Sequence, residues 1–423
     1  MSETPTRRPA PLAARVALLL GTTALLGLIF EVGVRVAKNE IAFQPDPDVI
    51  RSLVPNKERA VYTYETDDNL NGRSSELANP PALLGHCHTN NLGLRMQADI
   101  GPKAPDEKRI LVFGDSYTEA LETLEEDRFV QVAARHIEAA AGAAASAGEN
   151  WRWTVVNAGI QNGTPSQYIL LLRRFLPLIE PDIVVVVTGA NDLTDDSNLE
   201  RKHGFALDAD GIPLAPENRW RLWWIQNSYF LRYVEVGARR LIPDLYEAAF
   251  PPANPDLVVP FWMDILCDED PASRDQYPER TGRYLLAMKQ LTESAGVEFA
   301  VLVMHYLYTF ENEPYYEPRF PWLREKLEEL GCYENYGAPF NQYIEAFLEE
   351  NGVRYRNSQD AMAAAKREVP SRKLWNFYDY HFSRAGHQVM GDELYELIAP
   401  IMSEQAAQGP GAPRASAAPP TDS

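Results

Sequence analysis

Ile183-Val-Val-Val-Val-Thr-Gly-Ala-Asn-Asp192 is the stretch on which the fold turns. Pro181-Asp182 introduces it, and residues 183–187 are five consecutive β-branched residues with no polar position among them. A strand wetted on one face alternates apolar with polar. An unbroken apolar run belongs to a strand covered on both faces, as in a parallel sheet. Working outward, short apolar runs recur at 110–113 (Ile-Leu-Val-Phe), 154–156, 297–304 and 353–355. Helical patterns separate them: an Ala-rich segment at 129–145, apolar residues at helical spacing over 168–178, and further stretches at about 280–295 and 339–351. From Ser383 onward Met390, Leu394, Leu397, Ile398 and Ile401 mark a last amphipathic helix. Five buried strands alternating with helices predict an α/β fold, a three-layer α/β/α sandwich around a five-stranded parallel sheet.

The chain has 423 residues, 45% hydrophobic and 24% charged, the balance of a globular protein with a sizeable core. Its 40 Lys and Arg against 60 Asp and Glu leave a net charge of −20, with no basic cluster to grip phosphate backbones. Nucleic-acid binding is excluded on that ground. Three cysteines (Cys87, Cys267, Cys332) form no CxxC pair, leaving one disulfide or three free thiols open. His86-Cys87-His88 is a poor metal cage, because adjacent side chains rarely converge on one ion, and no metal or other cofactor is called for.

At the start, Arg7, Arg8 and Arg15 precede an uncharged run, 16–30, that resumes past Glu31 to residue 36. These 21 residues, at about 1.5 Å each, just span a bilayer core as one transmembrane helix. Glu31 and Arg35, four apart, can pair near the interface. A cleaved signal peptide is the competing reading. Its apolar region is typically about 7–15 residues, and no small-x-small pattern follows Phe30, which favours an uncleaved signal anchor. The basic end stays in the cytoplasm, so the bulk of the chain is expected outside it, periplasmic or at the cell surface. The expected organisation is a basic tail and anchor (1–38), an extended lead-in (39–107), an α/β domain (108–402) interrupted at about 193–275, and a disordered Ala/Pro tail (403–423). The interruption holds a hairpin at 208–211 and an aromatic stretch with Trp220, Trp223, Trp224, Phe230 and Tyr233. Helix packing onto the sheet is the expected use of that stretch. A lid or a membrane-surface contact is the alternative.

In open α/β sheets ligands bind beyond the carboxyl ends of the strands, and the residues there have chemical sense. The first strand ends in Gly114-Asp115-Ser116, the second in a turn with Asn162-Gly163, the third in Gly189-Ala190-Asn191-Asp192; Asp379-Tyr380-His381 precedes the last helix. A serine, two asparagine-bearing turns and an acid–histidine pair are an inventory for acyl transfer. Ser116 would be the nucleophile, His381 its base and Asp379 the base's orienter. The Ser116 N–H, an N–H in the Asn162-Gly163 turn and the Asn191 amide would stabilise the oxyanion. Each also has a bland reading, as helix cap, turn former or surface histidine, and His305 and His387 are rival bases.

These residues resemble the blocks of the SGNH (GDSL-like) hydrolase superfamily, in its membrane-anchored bacterial type. Gly114-Asp115-Ser116, Gly189-Ala190-Asn191-Asp192 and Asp379-Tyr380-His381 are similar to its first, third and last blocks, over about residues 108–402, and Thr89-Asn-Asn-Leu-Gly-Leu-Arg95 is similar to the lead-in of anchored members. The resemblance implies a flavodoxin-like sheet, nucleophile Ser116, base His381 and oxyanion donor Asn191, with Gly114, Asp115, Gly189 and Asp192 as supporting turns. In two places the chain departs from the pattern. Asn162 stands where the second block carries glycine, and Asp379 lies two rather than three residues before the histidine. The absence of G-x-S-x-G argues against the α/β-hydrolase elbow. The expected function is an exported, membrane-anchored serine esterase. It would act on an ester-bearing small molecule or acylated glycan, removing acetyl or short acyl groups from carbohydrate or envelope material. An O-acyltransferase using the same residues and an inactive glycan-binding module remain the alternatives.

Overall fold

All six residues of the strand Ile183–Thr188 are buried, as its unbroken apolar run requires. The computed structural model describes residues 12–38, 53, 58–65, 77–145, 151–209, 212–259, 275–304, 325, 328–329, 338–369, 374–375 and 381–407. In chain order these form α1 (Leu12–Lys38), β1 (Glu58–Glu65), β2 (Leu77–His88), β3 (Glu107–Gly114), α2 (Phe129–Ala145), β4 (Arg152–Gly159), α3 (Pro165–Ile179), β5 (Ile183–Thr188), α4 (Asn191–His203), β6 (Phe205–Leu207) and β7 (Pro213–Pro216). There follow α5 (Arg219–Asn227), α6 (Tyr229–Leu241), α7 (Pro243–Ala249), α8 (Arg283–Ser294), β8 (Glu298–Val303), α9 (Ala338–Glu350), β9 (Arg354–Asn357), α10 (Gln359–Glu368) and α11 (Arg384–Ala407).

The expected five strands make one sheet of order β4-β3-β5-β8-β9, every neighbouring pair parallel. This is the flavodoxin-like order 2-1-3-4-5, whose topological switch point lies between β3 and β5. Right-handed crossovers send α2 and α3 to opposite faces, because the chain steps to one side of β3 through α2 and to the other through α3. The helix α11 packs on α2, and α8 packs on α3. Between these layers Phe113, Phe129, Tyr168, Phe175 and Tyr284 are fully or almost fully buried.

The described residues fall into two compact units. The larger, 53–215 with 253–423, holds the sheet. Its lead-in contains an antiparallel ribbon, β1 against β2, where only extended chain is expected. The alternation in Val61-Tyr-Thr-Tyr64 is a strand signal overshadowed by the surrounding Pro, Asn and Asp. Within β2, Cys87 is buried while His86 and His88 are exposed, so successive side chains leave opposite faces. Cys267 and Cys332 lie outside the described residues, as does the tail beyond 407. On either side of the expected 208–211 turn, of which 210 and 211 lie outside the described residues, β6 and β7 pair as a ribbon, with the Asp208 N–H donated to the Ile212 carbonyl at 2.9 Å.

The smaller unit, 1–52 with 216–252, joins α1 to α5–α7. Within this unit the helices of the aromatic stretch pack on one another, and α6 packs on α1. By length and composition α1 can cross a membrane: residues 12–37 have a mean hydropathy of 2.0, and the helix is almost wholly exposed. Such a helix near an N-terminus also fits a signal sequence.

Candidate active site

At the end of β3 the backbone turns sharply into a single helical turn, Ser116–Glu119. Asp115 caps it, its carboxylate accepting the Tyr117 N–H at 2.9 Å. Ser116 is the first residue of the turn and half-buried, so its N–H is among the orphan donors of a helix start. Among the described residues its hydroxyl makes no hydrogen bond. The turn lies so close to the sheet that side chains beneath it are excluded. A Cβ on Gly114 would sit 2.0 Å from the Thr118 Oγ1, and one on Gly159 would sit 2.3 Å from the Glu119 nitrogen. Asn157 on β4 locks the stack, donating to the Thr118 carbonyl at 2.9 Å and accepting the Gly159 N–H at 2.8 Å. The lead-in holds the far side. Buried Arg95 donates to the carbonyls of Glu119 (2.7 Å) and Thr123 (2.5 Å), and its own carbonyl accepts from Arg128 at 2.6 Å. Burial, with the charge of Arg95, brings the Arg128 guanidinium down to about 9.

The turn after β4 is tied to the same serine-bearing loop. The Ile160 N–H donates to the Gly114 carbonyl (2.9 Å) and the Gln161 N–H to the Glu119 carboxylate (2.7 Å). Asn162 is exposed and left-handed, with φ +53°, a conformation asparagine tolerates better than most residues. The Gly163 N–H is donated to the Ile160 carbonyl at 2.9 Å. The Asn162 N–H has no partner among the described residues.

After β5, Asp192 accepts from the Thr188 hydroxyl (2.6 Å) and the Gly189 N–H (3.0 Å), closing the turn that starts α4. Asn191, one residue earlier, points its amide nitrogen at Asp115 (3.1 Å) and Asp195 (3.4 Å). Its Oδ1 is buried with no partner among the described residues. Carboxylates crowd this spot. Burial, then the charges of Asp115 and Asp196, raise Asp192 well above the usual range and bring Asp195 to about 7. Burial brings Asp196 to about 6, although it accepts from the Ser166 N–H and the Thr281 hydroxyl. Asp115 is raised by burial as well.

His381 comes to the same rim, its ring 4.7 Å from that of Tyr117, the residue after the serine. The neighbouring Phe382 pairs with Trp375 in an isolated bridge and packs 4.8 Å from Tyr117, which fixes where the histidine leaves the backbone. Asp379 lies outside the described residues, as does the rival base His305. The other rival, His387, is fully buried. Its Nδ1 accepts the Phe129 N–H (3.4 Å) and its Nε2 faces the Glu122 carboxylate at 3.9 Å. Burial lowers its affinity for a proton.

Glu122 is a residue the motif reading does not reach. Burial alone would raise its pKa, but the charge of His381 and the hydrogen bond and charge of His387 outweigh that and hold it low. Asp195 is the other. Neither carries a signal beyond its separation from a motif: six residues after Ser116 and four after Asn191, on one helix face. Ser116, Asn191 and His381 are thus gathered around residues 115–117, with the Asn162 turn bonded to the same loop. Among the described residues no group of three or more His, Cys, Asp or Glu is arranged to hold a metal.

No family model and no curated protein matches the chain. Solved structures similar to it include a member of the lipolytic protein G-D-S-L family from Veillonella parvula, at 10% identity over 69% of this chain and 98% of that one, TM-score 0.35. Axe2, an acetylxylan esterase from Geobacillus stearothermophilus, is similar at 15% identity over 69% and 94%, TM-score 0.32. The psychrotrophic esterase EstA from a Pseudoalteromonas species is similar at 14% identity over 70% and 99%, TM-score 0.32.

Proposed function

We propose that this chain is a serine ester hydrolase of the SGNH type, anchored in a membrane by α1 and removing acetyl or short acyl groups from carbohydrate or cell-envelope material. The observation that carries the reading is the convergence just described. Asn191 is bonded to the carboxylate beside Ser116, and the His381 ring lies 4.7 Å from that of the residue after it, tilted by 50°.

The chemistry follows from the groups. A neutral hydroxyl is a weak nucleophile, so Ser116 Oγ attacks the acyl carbon only as His381 removes its proton. The serine–histidine hydrogen bond forms in the substrate complex, as such contacts commonly tighten on binding. The new oxyanion receives the Ser116 N–H, the Asn162 N–H and the Asn191 amide. The imidazolium returns its proton to the departing alkoxide. Water, deprotonated by the same base, then attacks the acyl carbon, and the imidazolium returns that proton to Ser116 Oγ as the acid is released. Asp379 orients the base, and buried Glu122 supplies further negative charge for the imidazolium. Glu122 is in turn held by His387, whose Nδ1 is an acceptor and whose Nε2–H faces it. The basic residues before α1 keep the N-terminus in the cytoplasm and the catalytic unit outside.

The test is release of p-nitrophenol from p-nitrophenyl acetate by the full chain in detergent, with Ser116→Ala beside it. Turnover that disappears in the variant is the expected result. Equal turnover in both proteins overturns the assignment. Repeating the assay with acetylated xylo-oligosaccharide, and following acetate against acetyl transfer to added acceptor, tests the substrate class and the hydrolytic outcome.

A further inference from the structure

α6 is built inside out for water. Its one acidic side chain, Glu235, is turned toward its neighbours. It accepts from the Tyr246 hydroxyl of α7 (2.6 Å) and the Arg221 guanidinium of α5 (3.1 Å), and pairs with Arg239 on α6 itself. The polar contacts are therefore the interior of the three-helix arrangement. The large apolar side chains face outward: on α6 Tyr233 is 61% exposed, Val234 50% and Leu241 83%, while Leu245 of α7 is 64% exposed. At 100° per residue Phe230, Tyr233, Val234, Gly237 and Leu241 fall on one side of α6 and Arg232, Glu235 and Arg239 on the other. Polar within and apolar without is stable where the surroundings are hydrocarbon, and costly in water.

The same face is continuous with α1. Phe30 packs edge-on against Phe230 (6.4 Å) and Tyr233 (5.6 Å). A Cβ on Gly27 would meet the Phe230 ring at 2.9 Å, so the helices touch where the smaller residue lets them. Glu31 caps the start of α6, accepting from the Ser228 hydroxyl and the Phe230 N–H, each at 3.0 Å. Arg35 bonds Glu31 and the Asn227 carbonyl. α6 is thus fastened at the C-terminal end of the apolar run of α1, where an anchor leaves the bilayer. Two tryptophans of α5, Trp220 (70% exposed) and Trp224 (54%), add the side chains favoured at that depth. Charge agrees. Residues 216–252 hold five Arg and four Asp or Glu, a net +1 in a chain of −20, so anionic headgroups do not repel this segment.

We propose that α5–α7 are a membrane-interface module, with the apolar face of α6 and α7 seated in the headgroup–acyl boundary of the phospholipid bilayer that α1 crosses. The inference rests on the reading of α1 as a membrane anchor, and the experiment separates the two. Full-length protein, its three cysteines replaced by serine, carries one environment-sensitive fluorophore through Leu20→Cys, Val234→Cys, Leu241→Cys or Ser294→Cys. All four are exposed positions. Each is reconstituted in vesicles of phosphatidylcholine and phosphatidylglycerol, with and without a doxyl-labelled lipid. Labels at 234 and 241 should be quenched at least half as strongly as the label at 20, and the label at 294 not at all. Quenching at 20 without quenching at 234 and 241 overturns the inference and leaves the anchor standing. Blue-shifted but unquenched emission at 234 and 241 overturns it in favour of a protein contact. No quenching at 20 defeats the anchor reading, and this inference with it.

Discussion

Ser116 and Asn191 carry the sharpest expectations at the scale of single residues. Asn191→Ala removes one oxyanion donor and should lower kcat by about 10²–10³ with little change in KM, measured on the p-nitrophenyl ester. An unchanged kcat would take Asn191 out of the mechanism. With His381 as base, activity should fall as pH drops through about 6–7, where imidazole takes up a proton; a rate flat to pH 5 points to another base. Asp195 makes a separate statement about stability. Its folded pKa of about 7 lies above the ordinary 3.8, so the folded state holds the proton more tightly than the unfolded chain. The resulting cost is full above pH 7 and fades as pH falls toward 4. Asp195→Asn should therefore raise the melting temperature at pH 8, by an effect on the order of 1–3 kcal/mol, and the gain should shrink toward pH 4. A gain of equal size at both pH values would assign it to something other than titration.

Between the strands and the serine stands the single turn Ser116–Glu119, whose position is set by contacts from three separate segments. β4 supplies Asn157 and Gly159, the turn after it supplies Gln161, and the lead-in supplies Arg95. Gly159→Ala drives a methyl into the Glu119 nitrogen, with backbone as the only thing to move. It should cost on the order of 1–3 kcal/mol and cut kcat, while leaving the far-UV circular dichroism unchanged. A variant with parental kcat would mean the turn is more yielding than its packing implies. The lead-in motif around Arg95 resembles a family feature in sequence; in the structure it is a clamp on the turn that carries Ser116.

At the scale of the molecule, an acidic α/β unit is joined to a helical unit of nearly balanced charge that contains the apolar helix. If α1 is an uncleaved anchor, the expressed protein should stay with the membrane fraction after alkaline carbonate extraction. Protease added outside intact spheroplasts should then remove the catalytic unit. Release into the soluble fraction at reduced length would instead identify a cleaved signal sequence.

The parallel sheet was legible in the sequence because a doubly covered strand needs an unbroken apolar run, and that need is local: 183–187 announces β5 without reference to any other residue. The candidate residues were legible for a related reason, since strand ends are where this architecture places ligands. Helices α4 and α10 were not, for one is rich in Asp and Asn and the other short, and their apolar contacts lie on residues distant in the chain. Tertiary structure alone decided that Glu122 and His387 stand behind His381, and that the Gly163 N–H is used within its own turn. It alone brought burial and the Asp115 and Asp196 carboxylates onto Asp195, and α6 of the aromatic stretch onto α1. The physical reason is common to all of these. Burial, electrostatic coupling and helix partnership are properties of pairs brought together across tens or hundreds of residues, whereas periodicity and turn chemistry are written within ten.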